Sequence, residues 1–561
     1  MSQHLIVAPV LIPFIAGALM LLYDDRQRAA KFWISIAATG LQLLVAVQLL
    51  IQAKADPLTG AEGISFYLLG DWRAPMGIVL VLDRLAAIML VLTALLALAS
   101  LVYARANWHR QGQHYQSLFQ FLLMGLNGAF LTGDLFNLFV FFEVLLAASY
   151  GLLLHGSGQL RIRAGMHYIA INLAASLLFL IGVSLIYGIT GTLNMAHLAN
   201  IMSQVPEDQR PLLHAALGLL GLVFLVKAGS WPLSFWLPTT YMAAAAPVGA
   251  MFAIMTKVGI YAILRVSMLV FGETAGASAG YGGPVLILMG FATVIFGFLG
   301  VLAAQGLGRI AAHSVLISSG TVLAVVGFAL AGGGQAMLAG ALYYLVASTL
   351  ACGTLFLLVE PMGREDGGIA ALLALTADAY GIEDDEADEP AGGQGVAALT
   401  IASGTAVLSA CFALCVLALA GLPPLPGFIG KIAMIEGVQG LTDGLPPAMA
   451  WGFIGLLLLS GFATLVGLAR IGIQTFWASD DSQPQVLALE IGPVIALLAV
   501  LAAMSVKAEA MLRYTGSTST ALHHTAHYAY GVFTAPRAAD QPSPGENGNG
   551  GAADEGEEQQ R

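Results

Sequence analysis

The chain has 561 residues, of which 58% are hydrophobic and only 10% are charged. Soluble globular proteins carry about 25% charged residues, so this composition excludes an ordinary soluble protein and predicts an all-α polytopic membrane protein. The net charge is −11, but the acidic residues cluster in one loop and in the C-terminal tail. No basic patch indicates nucleic-acid binding.

The hydrophobic runs predict about fourteen membrane spans, because a run of about 18 apolar residues is long enough to cross a bilayer. The first run, 5–22, has no basic n-region and is followed by acidic residues. We therefore interpret it as a span rather than as a removed signal peptide. The predicted organisation is helices 1–3 in residues 1–114, helices 4–8 in 115–271, helices 9–13 in 284–476, and helix 14 in 486–506.

The distribution of Lys and Arg between the predicted loops indicates the orientation, since basic loops stay in the cytoplasm. Odd-numbered loops contain ten basic residues and even-numbered loops contain four, so we expect both termini to face outward. The ten are Arg26, Arg28, Lys31, Arg105, Arg110, Arg161, Arg163, Arg309, Arg364 and Arg470, and the four are Lys54, Arg73, Arg84 and Arg210.

Three polar segments lie outside the predicted spans. Residues 361–397 form an acidic loop, 507–535 is a candidate interfacial helix, and 536–561 is predicted to be a disordered tail. We interpret the histidines of the candidate interfacial helix as surface residues rather than metal ligands. The cysteines lie in apolar runs with no accompanying metal ligands, so we interpret them as small buried residues. These residues are His523, His524 and His527, and Cys352, Cys411 and Cys415.

Residues 221–259 combine buried charge with interrupted helices. Lys227 and Lys257 lie in apolar runs, and three prolines between them (232, 238 and 247) interrupt the helical pattern. A lysine near the bilayer centre costs about 2.5–3.5 kcal/mol on insertion scales, so such a residue indicates function. Broken helices at membrane depth are tolerated where the freed backbone lines a cavity. Together the two features predict an ion pathway near the membrane midplane.

Lys431 repeats this combination 204 residues after Lys227, because it follows the proline-rich run AGLPPLPGFIG. Burial disfavours the charged form of an amine, so each of these lysines is able to store and release a proton or to displace a cation. The alternative is that a side chain extends to the interface, which is open for Lys257 because Arg265 follows on the same run.

Glu143 is the acidic counterpart in the run 133–156. It lies nine residues after Asp134, which places it about 13 Å deep in a helix. A buried carboxylate needs a partner, and a lysine of the broken helix is the obvious one. Breaking and remaking that pair would couple proton movement to transport, whereas a purely structural pair is the alternative. Asp134 suits the start of the helix, where an acid is favourable for the dipole.

His313 is a candidate proton relay, because imidazole titrates near neutral pH and three serines follow within six residues. Packing against those hydroxyls is the alternative. Asp83 lies near a span start beside Arg84, so we expect it to cap a helix and to pair locally with that arginine.

Three long motifs carry a family resemblance: GDLFNLFVFFEVLLAASYGLLLHG, KAGSWPLSFWLPTTYMAAAAPVGAMFAIMTKVGIYAILR and LAGLPPLPGFIGK. They resemble the D-type subunit of the multi-subunit Mrp/Pha/Mnh-type monovalent cation/proton antiporters, which is similar to the antiporter-like membrane subunits of respiratory complex I. The resemblance implies fourteen helices, with discontinuous helices 7 and 12. It also implies two inverted five-helix repeats, in 115–271 and 284–476.

The resemblance also implies roles for individual residues. Glu143 and Lys227 match the family's key ion pair, Lys257 the lysine of the central hydrophilic axis, and Lys431 the lysine at the exit side. His313 matches the polar relay position more loosely. Relatives typically have histidine at the position of Ala347, and we expect water or the neighbouring Tyr343 or Tyr344 to bridge that gap, or ion selectivity and rate to differ.

We therefore expect a secondary transporter subunit that exchanges protons for Na⁺ or K⁺ within a hetero-oligomer of a bacterial inner membrane. One rival is a proton-pumping subunit of a complex I-type redox complex, and another is a structural subunit that does not transport. No catalytic or phosphate-binding motif indicates an enzyme, and no cofactor or metal is predicted.

Overall fold

The computed structural model describes residues 3–24, 26–54, 63–108, 112, 114–363, 404–439, 446–477, 487–535 and 537. Within these ranges the chain is a bundle of α-helices with one two-stranded antiparallel β-hairpin. The acidic loop predicted at 361–397 lies outside the described residues from 364 onward. The tail predicted at 536–561 lies outside them except at residue 537.

The first half of the bundle runs from the N-terminus to the end of a long buried helix. Its elements are α1 (Ala8–Leu21), α2 (Arg28–Gln52), β1 (Ser65–Leu68), β2 (Val79–Leu82), α3 (Arg84–Ala104), α4 (Tyr115–Leu131), α5 (Leu135–Leu153), α6 (Gln159–Thr190), α7 (Met195–Ile201), α8 (Arg210–Ala228), α9 (Leu237–Ala243) and α10 (Ala246–Phe271).

The second half consists of helices alone in its described part. Its elements are α11 (Gly283–Ala303), α12 (Leu307–Leu330), α13 (Gln335–Gly363), α14 (Gly404–Ala420), α15 (Pro426–Gln439), α16 (Pro447–Trp477), α17 (Ala488–Val506), α18 (Ala508–His523) and α19 (Thr525–Thr534).

Eleven of the described helices are long and apolar enough to cross a membrane, so the chain is a mostly helical multi-pass membrane protein. The apolar helices α1 and α14 are shorter, at 14 and 17 residues. The interruption predicted near Pro247 is present, since α9 ends at Ala243 and α10 begins at Ala246. The reason is local: Ala244 is extended, and Pro247 occupies the first turn of α10, where its missing N–H is tolerated.

Three helices form the centre of the bundle. Nearly every residue of α10, α12 and α13 is buried. A helix that is apolar all round can be buried on every side, and these sequences have that composition. The few polar side chains that they carry are therefore enclosed by protein.

The break between α8 and α9 lies directly beside Lys227. Helix α8 ends at Ala228, and Gly229 takes the left-handed conformation (φ +67°) that glycine adopts at no steric cost. The N–H of Ser230 donates to the Leu225 carbonyl oxygen at 2.9 Å. The hydroxyl oxygen of Thr293 in α11 then accepts a hydrogen bond from the freed N–H of Trp231 at 2.9 Å. Neighbouring helices thus satisfy the backbone that the break exposes.

The β-hairpin, α18 and α19 lie at one end of the bundle, which we call the hairpin face. Strands β1 and β2 pair with Ser65 opposite Leu82. Ser519 of α18 donates to the carbonyl oxygen of Gln335 at the start of α13 (2.8 Å), and Tyr514 donates to that of Leu50 at the end of α2 (3.3 Å). The C-terminal helices are thereby fixed across the ends of the spans.

Gly259 of α10 allows that helix to touch the end of α8, and this contact yields a prediction. A Cβ at Gly259 would lie 2.5 Å from the Ala228 nitrogen and 2.9 Å from the Lys227 carbonyl carbon, both rigid backbone atoms. We expect Gly259→Ala to destabilise the protein by about 1–3 kcal/mol through overpacking. The measurement is the midpoint of thermal unfolding of the purified complex, followed by fluorescence-detected size exclusion.

Gly218→Ala is the matched control, because no atom lies within 4 Å of a Cβ at Gly218 of α8. Alanine favours a helix over glycine by up to about 1 kcal/mol, so this variant should melt at the wild-type temperature or slightly above it. Equal midpoints of thermal unfolding for the two variants would show that the α8–α10 contact accommodates a methyl group.

Candidate ion-translocation site

The Lys227 amine is enclosed in the bundle. Lys227 lies in the last turn of α8 and is 6% exposed. Its Nζ donates to Asn172 Oδ1 of α6 at 3.3 Å and lies 5.8 Å from the centroid of the Phe142 ring. A buried amine thus has a neutral oxygen as its hydrogen-bond acceptor.

Glu143 is half-buried on α5, and its carboxylate accepts a hydrogen bond from the Ser176 hydroxyl of α6. The direct ion pair expected between Glu143 and Lys227 is not formed, although the two charges remain close enough to interact electrostatically. Ser176 and Asn172 lie four residues apart, so one face of α6 separates the carboxylate from the amine. The structure therefore brings the two residues to one site, with α6 as the bridge.

The polar face of α6 was not identified from the sequence. Tyr168, Asn172 and Ser176 are spaced by four residues and are all buried. Tyr168 Oη and Ser149 Oγ of α5 share a hydrogen bond of 2.9 Å. A polar stripe of helical period in an otherwise apolar run is the signal that would have revealed it.

Lys257 lies in the middle of α10 and is 1% exposed. Its Nζ donates to Ser319 Oγ of α12 at 2.8 Å. The side chain does not extend to the surface of the bundle, which was the alternative left open by the sequence. Like Lys227, it has a neutral oxygen as its acceptor.

Hydroxyl groups continue from Lys257 toward α13. Ser318, next to Ser319, shares a hydrogen bond of 2.7 Å with Ser348 of α13. Tyr344 lies one turn earlier on α13, where its side chain contacts Thr321 of α12. Ala347 is buried beside these residues and contributes no polar group.

Lys431 lies six residues into α15, just beyond the break that separates α14 from α15, and is 6% exposed. Its Nζ donates to the Ala420 carbonyl oxygen at 2.8 Å, so the amine caps the C-terminal end of α14. Gly430, its neighbour, packs against the backbone and Cβ of Tyr344. Tyr344 thus lies between the helices that carry Thr321 and Lys431.

Three other candidates are not joined to this series of contacts. His313 Nδ1 donates to the Arg309 carbonyl oxygen (2.8 Å), and its ring packs against Phe296, so it does not contact Lys257. Tyr343 donates to the Met504 carbonyl oxygen of α17 at 3.1 Å, so it contacts a different helix from Tyr344. Asp134 accepts the Asn137 N–H at 2.9 Å and caps α5.

The expectation that Asp83 pairs with Arg84 is wrong. Asp83 does cap α3 by accepting the Ala86 N–H at 2.9 Å, but its ionic partner is Arg265 of α10, at 2.6 and 2.7 Å. Arg84 instead donates to the Ser517 carbonyl oxygen. The partner lies 182 residues away in the chain, so spacing gave no sign of it.

The described residues contain no cluster of three or more His, Cys, Asp or Glu that could hold a metal ion. Cys352, Cys411 and Cys415 are all buried thiols. What the site does contain is three enclosed amines, one carboxylate and a set of hydroxyl and amide groups between them. Such an arrangement is able to hold and relay protons.

Comparison with known proteins places this geometry in a family. Residues 132–375 match the family model described as "NADH:quinone oxidoreductase/Mrp antiporter, TM". A probable K(+)/H(+) antiporter protein of the D-subunit type from Rhizobium meliloti (strain 1021) is 51% identical over 545 residues, which cover 96% of this chain and 99% of the relative. The D-type protein of the Na(+)/H(+) antiporter from Bacillus subtilis (strain 168) is 35% identical, over 86% of this chain and 89% of the relative.

The fold has solved counterparts. A chain of the Mrp complex from Dietzia sp. DQ12-45-1b superposes with a TM-score of 0.77 and 24% identity, covering 95% of this chain and 99% of that one. A chain of respiratory complex I from Thermus thermophilus gives a TM-score of 0.71 at 22% identity, covering 93% and 99%. With 51% identity along nearly its whole length, the chain belongs to the family of D-type subunits of multi-subunit monovalent cation/proton antiporters.

Proposed function

We propose that this protein is the D-type member of a hetero-oligomeric antiporter that exchanges protons for Na⁺ or K⁺ across a bacterial inner membrane, driven by the proton-motive force. The observation that carries the proposal is that Lys227, Lys257 and Lys431 are enclosed in apolar helices, each bonded to a neutral oxygen. An amine with a neutral acceptor keeps that hydrogen bond whether or not it is protonated. Nothing in its contacts fixes its charge.

Glu143 and Lys227 form the coupled gate in this proposal. Each is bonded to its own residue of α6, and the two charges sense one another across a single helical turn. When either group gains or loses a proton, the balance between direct attraction and the bonds to Ser176 and Asn172 changes. The site therefore has two arrangements, and a cation in a neighbouring subunit can shift the equilibrium between them.

Lys257 and Lys431 are the proton-carrying stations beyond the gate. The hydroxyl groups of Ser319, Ser318 and Ser348 lead from Lys257 to α13, and Tyr344 continues toward α15. Hydroxyl groups both donate and accept, so they pass a proton without holding a charge. Tyr343 and Tyr344 were both candidates to bridge the gap at Ala347, and we assign this role to Tyr344.

The topology is part of the proposal. Fourteen helices in two inverted repeats would place the α8–α9 and α14–α15 breaks in equivalent positions, with one lysine beside each. The excess of Lys and Arg on the opposite side makes the hairpin face the outer face of the membrane. Both termini then lie outside.

The proposed function is tested in everted vesicles from an antiporter-deficient host that expresses the whole complex. Adding Na⁺ or K⁺ should dissipate a respiration-driven pH gradient. Glu143→Gln and Lys227→Met should each slow this exchange by about a hundredfold, the contribution typical of a positioned proton-transfer group. Assembly is checked by co-purification of the other subunits.

Lys507→Met is the control, because that lysine is exposed beyond the end of α17. It should exchange at the wild-type rate. Full exchange by assembled Glu143→Gln and Lys227→Met complexes would instead favour a structural subunit. Co-purification with quinone-oxidoreductase subunits, without cation-dependent exchange, would favour the redox-complex alternative.

The bridge on α6 yields a second prediction. Asn172→Leu removes the acceptor of a hydrogen bond from a charged group, which is worth about 1.5–3 kcal/mol, so exchange should fall about tenfold or more. Leu173→Ala is the matched control, since Leu173 is adjacent but 55% exposed on the bundle surface. The rate of cation-dependent proton exchange checks both variants. If the Asn172→Leu and Leu173→Ala complexes exchange at the same rate, α6 takes no part in the gate.

Tyr344 and Tyr343 provide a third prediction, because these adjacent residues contact different helices. Tyr344→Phe removes a hydroxyl from the proposed path and should slow exchange about fivefold to tenfold. Tyr343→Phe removes the bond to Met504 and should leave exchange nearly unchanged. If the two variants behave in the reverse way, the path follows α17 instead of α15.

A further inference from the structure

The Asp83–Arg265 pair is a second buried ionic site, and the proposed path does not use it. Both Asp83 oxygens are bonded to the Arg265 guanidinium, at 2.6 and 2.7 Å. The Arg265 side chain is 5% exposed and that of Asp83 is 13% exposed. The ring centroids of Tyr261 and Tyr528 lie 5.4 and 5.3 Å from the guanidinium carbon of Arg265. Arg265 lies within the membrane-spanning helix α10, and an ionisable residue buried there is costly and is a candidate functional residue.

This pair lies on the same helix as Lys257. Lys257, Tyr261 and Arg265 follow one another at intervals of four residues on α10, so they form one stripe. Arg265 Nη2 donates to Tyr261 Oη at 3.3 Å. The eight residues from Lys257 to Arg265 correspond to about 12 Å along the helix. A polar stripe thus leads from the central lysine toward the hairpin face.

Two adjoining cavities extend from this stripe toward the surface. The inner one, lined by Asp83, Arg265, Leu269 and Tyr528, has a volume of about 20 Å³, enough for one water. The outer one, of about 320 Å³, lies between the start of α3 and the C-terminal helices. Ile64, Arg84 and Ala521 line both cavities. The ion pair therefore lies at the inner end of an opening on the hairpin face.

We propose that the Asp83–Arg265 pair is the gate of a polar route between Lys257 and the hairpin face. Arg265 is the plug, because a fixed positive charge in a narrow route excludes protons and cations. Asp83 is the residue that holds the plug in place. The inference rests on the proposed function, since a gate toward Lys257 has a purpose only if Lys257 carries protons.

The charged and titratable groups that face the gate come from four elements. Arg84 lies at the junction of the two cavities, and Tyr261 lies beside the guanidinium on α10. Tyr514 of α18 and Tyr528 of α19 lie near the pair, and His524 and His527 line the outer cavity. Burial raises the pKa of Tyr528, so this phenol stays neutral beside Arg265. None of these groups competes with Asp83 for the guanidinium as a carboxylate would.

A purely structural pair is the alternative, in which Arg265 only ties α3 and α19 to α10. The two readings differ in whether water and ions reach the inner cavity. They also differ in what happens to proton conduction when the guanidinium is removed.

The first experiment probes access with Ag⁺, a thiophilic monovalent cation small enough for the inner cavity. Leu269→Cys places a thiol on its lining, and Val266→Cys places one on the apolar groove between α8 and α11. In right-side-out vesicles with chloride-free buffer, we expect Ag⁺ to protect Cys at position 269, but not Cys at position 266, from maleimide labelling after the protein has been denatured. The wild-type complex corrects for the three native thiols, which are all buried.

The second experiment measures proton leak in proteoliposomes that hold the assembled complex, with no Na⁺ or K⁺ and with a lipophilic counter-ion. Arg265→Gln should raise the leak by up to about tenfold, the effect of one unit charge about 12 Å away in a protein interior. Asp83→Asn/Arg265→Gln is the variant to use if the single substitution fails to assemble, because Asn caps a helix as well as Asp does.

Silver protection at position 269 together with a raised leak supports the gate. A thiol at position 269 that Ag⁺ does not reach overturns it, and so does an assembled Arg265→Gln complex as proton-tight as the wild type. If neither variant assembles, the silver result decides. Neither measurement depends on cation exchange, so a wild-type complex without exchange would overturn the proposed function separately.

Discussion

A charged side chain inside an apolar bundle needs a polar partner, because there is no bulk water to solvate it. In this protein the kind of partner separates two groups of buried cations. Lys227, Lys257 and Lys431 are bonded to neutral oxygens, of an amide, a hydroxyl and a backbone carbonyl. Arg265 is bonded to both oxygens of a carboxylate.

This difference has a physical consequence. A neutral oxygen stabilises a charged amine modestly, so Lys257 and Lys431 can lose a proton without leaving a bonded countercharge behind. Lys227 leaves the half-buried Glu143, which keeps its own hydrogen bond to Ser176. A carboxylate partner would keep the cation protonated, since breaking a buried ion pair by removing one charge costs about 3–5 kcal/mol. The lysines are therefore suited to changing charge, and the arginine to keeping it. The first property is what proton transport requires, and the second is what a barrier requires.

The broken helix follows from the same constraint applied to the backbone. Interrupting α8 frees N–H and C=O groups, and Thr293 and the left-handed Gly229 supply the missing bonds. Lys431 serves the other break directly, by bonding the Ala420 carbonyl oxygen. Within the described break beside Lys227, buried Ser234 Oγ and Trp236 Nε1 have no protein partner. Buried polar groups without a protein partner are ordinarily satisfied by an ordered water.

The sequence by itself determined the features that depend on the local composition of one run. Few charged residues in long apolar runs predict a multi-pass helical protein, and prolines beside Lys227 and Lys431 predict interrupted helices that the structure contains. The position of the three lysines within bilayer-length apolar runs is also local, whereas the contact with Ser319 decided that the Lys257 side chain stays inside the bundle. The motif resemblance then identified the family that the comparisons show.

Only the tertiary structure decided which side chains meet. The contacts from Glu143 to Ser176, from Lys227 to Asn172 and from Asp83 to Arg265 span 33, 55 and 182 residues. Each contact depends on which helices are neighbours and on how they are rotated about their axes. A polar stripe such as that of α6 marks one face of a helix, but it does not identify the residue that this face meets. For the same reason the sequence left Tyr343 and Tyr344 equivalent, whereas packing turns one toward Met504 and the other toward Thr321.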